Sequence, residues 1–80
     1  MTVTVRLFAR LRELAGADAV PVDVDAGTVT AIRTALAVRL PAARELIVRS
    51  AVAVNGEYAH EGQTVTAADE VALIPPVSGG

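Results

Sequence analysis

Apolar and polar side chains alternate from Thr2 to Phe8, with Val3, Val5 and Leu7 on one side and Thr2, Thr4, Arg6 and Phe8 on the other. That period of two predicts a half-buried strand. From Arg10 the spacing changes. Leu11 and Leu14 stand three apart and Gly16 follows, which reads as a short helical connector with a glycine stop. Val20, Val22 and Val24 then alternate with Pro21, Asp23 and Asp25, giving a second strand that pairs antiparallel with the first and whose proline suits a sheet edge. Asp25-Ala26-Gly27-Thr28 is turn chemistry ending in an N-cap. The helix it opens carries Val29, Ile32, Leu36 and Leu40 on one stripe and Thr30, Thr34 and Val38 on the other, and Pro41 ends it.

Residues 42–50 fit no single period, since Leu46-Ile47-Val48 could close a helix or open a strand, and they are read as irregular. Val52 and Val54 lead into Asn55-Gly56, a strong hairpin signal, with Tyr58 on the return strand. Thr64-Val65-Thr66 is a brief extended piece, Ala67-Ala68-Asp69-Glu70 a turn, and Val71 to Ile74 the last strand, with Val71 and Leu73 on one face and Ala72 and Ile74 on the other. One striped helix covers one face of one sheet, so the expected class is α+β: a mixed sheet of four to five strands, one main helix, and an extended C-terminal tail. The short apolar last strand suits a central place, parallel to the first. Residues 1–74 form the domain and residues 75–80 the tail.

Composition narrows the chemistry. Eighty residues at 52% hydrophobic bury one core. The formal charge of −2 is spread without a basic stripe, which sets nucleic acid aside. No stretch reaches the length of a membrane span and no signal-like apolar region opens the chain, so the expected location is cytoplasmic, away from membranes. Cysteine is absent, which removes side-chain thiolates as nucleophiles or metal ligands, and all seven basic residues are arginine, which removes side-chain amines. His60 beside Glu61 has no second histidine to make a metal site. No Ser-His-Asp set, phosphate loop or spaced carboxylate pair equips the chain as a free-standing enzyme.

What remains is the end of the chain. Pro75 and Pro76 fix their own φ and send it outward, Val77 and Ser78 follow, and Gly79-Gly80 form a tip without side chains that can thread a narrow channel. Its functional group is the Gly80 carboxylate. If Val3, Val5, Leu7, Val71 and Leu73 face the helix, Phe8 and Ile74 face the uncovered side, and Tyr58 either joins them in an apolar patch at the root of the tail or packs under its own hairpin. Arg6, Arg10 and Arg12 stand near that patch with Glu13 and could steer an acidic partner.

Leu7-Phe8-Ala9-Arg10-Leu11-Arg12-Glu13-Leu14-Ala15-Gly16, the central Val52-Ala53-Val54-Asn55, and Asp69-Glu70-Val71-Ala72-Leu73-Ile74-Pro75-Pro76-Val77-Ser78-Gly79-Gly80 resemble the small, sulfur-carrier subunits of molybdopterin synthase. The likeness runs nearly end to end. It implies a ubiquitin-like β-grasp fold and a carrier that is not catalytic on its own. By this resemblance an E1-like enzyme adenylates the Gly80 carboxylate with ATP and converts it to a thiocarboxylate. The tail then delivers the sulfur to cyclic pyranopterin monophosphate in the synthase large subunit, within a 2:2 heterotetramer. The same likeness makes Gly79 and Gly80 the transfer tip, Pro75 and Pro76 its rigid base, Phe8, Tyr58 and Ile74 the contact with the large subunit, and Arg12 a contact with the activating enzyme. It implies no stably bound cofactor and no metal. Aliphatic residues stand at Leu7, Leu73 and Ile74 where aromatics are frequent in such subunits. The alternatives are a thiocarboxylate carrier for thiamine or cysteine synthesis and a ubiquitin-like protein modifier.

Overall fold

The structure, a computed structural model, describes residues 1–76. Strand β1 (Thr2–Leu7) lies between β2 (Ala19–Asp23) and β5 (Val71–Ile74), and β5 also pairs with β3 (Ala51–Val54), whose hairpin partner is the two-residue β4 (Glu57–Tyr58). The five-stranded order is β2-β1-β5-β3-β4, with β1 and β5 parallel and every other pair antiparallel. This is the β-grasp expected from the sequence.

The alternation of β1 places Val3, Val5 and Leu7 in the core, where they meet Val71 and Leu73 of β5 and the helix residues Val29, Ile32 and Leu36. That helix, α2 (Val29–Arg39), begins at Thr28, whose hydroxyl accepts the Ala31 N–H. The short α1 (Ala9–Ala15) stops at Gly16, held at φ 70° as a left-handed cap. Asn55 and Gly56 both take positive φ in the β3–β4 hairpin, as an Asn-Gly turn requires.

Two expectations are corrected, and a third, the brief extended piece at residues 64–66, is narrowed. The first strand ends at Leu7 rather than Phe8, because Ala9 takes φ 50° and turns the chain into α1. Residues 41–49 are ordered: Pro41–Ala43 form a 3₁₀ turn and α3 (Arg44–Arg49) follows, with Ile47 its one fully buried side chain. Thr64-Val65-Thr66 adds no strand. It contributes a single bridge, Thr28 to Thr64, with Val65 buried.

Pro21 sits where its missing donor does least harm. Met1 and Val24 exchange backbone hydrogen bonds and Leu7 N–H donates to Asp18, so even-numbered positions of β2 turn toward β1 and odd-numbered ones toward the open edge. Pro21 therefore blunts that edge.

The candidate docking face at the root of the tail

The helices leave one sheet face uncovered. Strand registers align Ala19, Arg6, Ala72, Ala53 and Tyr58 across all five strands on that face, and Ile74 opposite Ala51 forms the next row. Four of these positions are alanines: Ala53 and Ala72 pair directly, Ala51 is next along β3 on the same face, and Ala19 lies on the far side of Arg6. They make a flat floor above which only Tyr58, Arg6 and Ile74 rise. Tyr58 is 76% exposed and Phe8, just beyond the end of β1, is 43% exposed; Ile74 is half-buried. Two of the chain's largest apolar side chains thus stand in solvent around a floor too small to cover them. The sequence pattern places Phe8 and Ile74 on this face and leaves two positions open for Tyr58. The structure sets Tyr58 in the row rather than beneath its hairpin.

Pro75 is half-buried and Pro76 exposed as the chain leaves β5. The expected contacts Val77 and Ser78 and the expected tip Gly79-Gly80 lie outside the described residues.

The arginines near this face do not act as an uncompensated cluster. Arg6 lies 4.0 Å from Glu70, Arg10 3.5 Å from Glu13, and Arg12 3.7 Å from Asp18. Arg12 projects from α1 with its side chain largely in solvent, so it remains available to a partner, but with a carboxylate already beside it. Among the described residues no three of His, Cys, Asp or Glu are grouped to hold a metal ion. Among the described residues no helix is long and apolar enough to cross a membrane.

Two positioning groups escape sequence reasoning. The Asn55 side chain donates to Asp69 Oδ1 at 3.0 Å and accepts the Glu70 N–H at 2.9 Å, tying the hairpin to the turn that feeds β5. Thr66 N–H donates to the other Asp69 oxygen at 2.8 Å. That backbone bond first, and the Asn55 amide second, hold the Asp69 carboxyl below its ordinary value. Arg33 of α2 does the equivalent for the helix layer. Its Nη1 donates to the carbonyls of Ile47 and Ser50, each at 2.6 Å, and its Nε and Nη2 grip both oxygens of Glu61 at 3.0 and 2.8 Å. The hydrogen bonds from Arg33 lower the Glu61 pKa. Each network joins residues 14 or more positions apart, and no local pattern announces it.

Comparison with known proteins follows the geometry. A family model described as the ThiS family matches residues 5–80. A relative from Arabidopsis thaliana named molybdopterin synthase sulfur carrier subunit is 35% identical, covering 98% of this chain and 82% of its own length. Small archaeal modifier protein 1 of Haloferax volcanii is 44% identical over 94% of this chain and 97% of its own. The crystal structure of that archaeal modifier superposes with a TM-score of 0.85 at 39% identity, covering all of both chains.

Proposed function

This chain belongs to the ThiS family, and from that premise we propose that it is the sulfur carrier for molybdenum-cofactor synthesis, with the carboxylate of Gly80 as the seat of the sulfur. The observation that carries the reading is the exposed floor rimmed by Phe8, Tyr58 and Ile74 at the point where β5 becomes the Pro75-Pro76 base of the tail. A partner seated on that floor receives the tail in a fixed direction, because Ile74 is held in the centre of the sheet and two prolines limit the bend that follows.

An E1-like enzyme supplies the activation. The Gly80 carboxylate attacks the α-phosphorus of ATP and pyrophosphate leaves. A persulfide sulfur then attacks the acyl carbon and AMP leaves, and a thiol cleaves the resulting S–S bond to give the thiocarboxylate and a disulfide. A thioacid is ionised at neutral pH and its sulfur is soft, so it attacks a side-chain carbon of the pterin precursor in the large subunit, where an oxygen leaving group departs, without a base from this chain. Water later releases the tail as a carboxylate. Having neither cysteine nor lysine, the carrier offers its own activated terminus no side-chain thiol or amine to capture. Assembly with the large subunit is 2:2, Arg12 lies at the activating-enzyme contact, and the site of action is the cytoplasm.

A second reading, protein modification, is favoured by the 44% identity to an archaeal modifier. It shares the adenylation step and differs in the acceptor, an amine rather than a pterin. Mass spectrometry of the chain after incubation with an activating enzyme, ATP and a sulfur donor tests the shared premise. The expected product has one oxygen replaced by sulfur, and its absence with active enzymes overturns the carrier reading. Reconstitution with the large subunit and the pterin precursor separates the two: formation of molybdopterin supports the first, while lysine-linked adducts without molybdopterin support the second.

A further inference from the structure

The charge of this chain is divided between its two layers. Residues 29–50, which hold α2 and α3, carry four arginines and one glutamate, whereas the rest carries three arginines and eight carboxylates. Arg6, Arg10, Arg12 and Arg33 all have a carboxylate within 4.0 Å. Among the described residues Arg39, Arg44 and Arg49 have none, and all three lie on the helix layer, the side of the molecule away from the alanine floor. Between α2 and α3 runs a groove lined by Thr34, Ala37, Val38, Pro41, Arg44 and Val48. Its apolar rims are conspicuous in so small a protein: Val38 is 77% exposed and Val48 60% exposed.

Neither half of this surface is explained by folding. The stripe of α2 that faces the core is complete without Val38, and α3 is anchored by Ile47 and Leu46 and by the bonds from Arg33, none of which involves Val48. A helix surface that leaves two valines in water beside Arg44, with the exposed Arg39 and Arg49 next along their helices and Glu45 the one carboxylate among them, has the make-up of an interface, with an apolar centre and a net positive rim that selects the partner's sign. Arg33, between the two helices, already commits four of its five N–H donors to Glu61 and two carbonyls, so the groove's geometry is set before anything binds. We propose that the α2–α3 groove is a second docking surface, and that its occupant is an acidic amphipathic segment of a partner protein, with aliphatic side chains between Val38 and Val48 and carboxylates at Arg39, Arg44 and Arg49. Because it faces away from the floor at the root of the tail, its occupant does not compete with a partner seated there. One molecule can then be held by its helices while its tail is engaged. This inference rests on the charge and exposure of the helix layer and stands whether or not the sulfur-carrier reading does.

The test is a titration of the ¹⁵N-labelled full chain with a capped synthetic peptide carrying leucines at helical spacing and glutamates elsewhere, beside the same peptide with lysine in place of glutamate. Saturable shifts are expected at Thr34, Ala37, Val38, Arg44 and Val48, with Ala53, Tyr58 and Ala72 unmoved and no saturable response to the lysine peptide. Arg39→Glu with Arg44→Glu turns two attractive exposed pairs repulsive and should weaken binding about tenfold or more, with the affinity also falling as salt is raised. Should that double variant lose its fold, Arg39→Gln with Arg44→Gln removes the charges while keeping helix propensity and should still weaken binding severalfold. Equal response to both peptides, shifts confined to the sheet face, or no saturable response overturns the proposal. So does concentration-dependent shifting of this face in the chain alone, which would make its occupant a second copy.

Discussion

Replacing Arg33 with methionine removes four hydrogen bonds, leaving the Ser50 carbonyl without its donor and the Ile47 carbonyl with only the Ser50 N–H at 3.2 Å. The side chain is 16% exposed, so the two bonds at 2.6 Å to Ile47 and Ser50 are made largely out of water. Charge-assisted bonds of that kind contribute roughly 1.5–3 kcal/mol each when a partner is removed. The grip on Glu61, whose side chain is 53% exposed, adds only about 0–1 kcal/mol. Because neighbouring losses are not additive, we expect Arg33→Met to cost roughly 3–5 kcal/mol, a large share of the roughly 4–12 kcal/mol available to 80 residues. At roughly 4–8 °C per kcal/mol for a domain of this size, the thermal midpoint should fall by about 12–40 °C. Arg33→Lys, a single point charge in place of a planar fork, should recover less than half of that. Glu61→Gln should lose no more than about 1 kcal/mol. Urea unfolding of the three variants followed by circular dichroism decides the matter. If Glu61→Gln is as damaging as Arg33→Met, the carbonyl contacts contribute little and the stitching of α3 onto α2 by Arg33 is wrong.

Other perturbations separate folding from docking. Tyr58→Asp and Phe8→Asp should leave the thermal midpoint within a few degrees, since both side chains are exposed, while weakening assembly with a large synthase subunit by about tenfold or more, from the ~1.5–3 kcal/mol that each apolar side chain contributes on burial; calorimetric titration reads this, and loss of the fold would refute the exposed placement. Gly27→Ala puts a Cβ 2.3 Å from the Val65 carbonyl oxygen, against backbone that also donates to Gly27 O at 2.7 Å, so the change should cost roughly 2–4 kcal/mol in urea unfolding. Glu61 and Asp69 both have folded pKa values below their ordinary ones, so their stabilisation is fully present above the ordinary values and is lost as pH falls through the folded ones. The urea midpoint should therefore hold above the ordinary carboxylate values and fall as pH drops below them, less steeply in Asn55→Ala, which removes one of the bonds to Asp69.

Much of the fold is written in local periodicity. Val3, Val5 and Leu7, the Gly16 stop, the Thr28 cap and Asn55-Gly56 each declare their conformation within a few residues, and the unbroken apolar run Val71–Ile74 declares a central strand. Helix α3 could not declare itself. It is six residues long with one buried side chain, and the carbonyls at its end are satisfied by an arginine 14 and 17 positions upstream. The alternation that ran on through Phe8 was overridden by the backbone at Ala9, whose left-handed φ no side-chain pattern records. Of the docking face, the exposure of Phe8 and the outward turn of Ile74 were legible because period two fixes faces. The floor beneath them was not, because Ala51, Ala53 and Ala72 come together, and Ala19 joins their row across Arg6, only through registers between distant strands. Nor were the counter-ions of the arginines, since Arg6 meets Glu70 only once β1 and β5 lie side by side.

That parallel contact between β1 and β5 joins the two ends of the domain, and it sits in the middle of the sheet. A pairing across so long a loop is slow to form, and β3 and β4 have no route to β1 except through it. A chain still emerging from the ribosome consequently cannot complete its sheet before residues 71–74 are free. A chain cut short of them has no central strand on which to assemble the alanine floor. The docking surface therefore comes into existence only together with the strand that launches the tail, so a partner that recognises the surface has, by the same contact, checked that the root of the tail is in place.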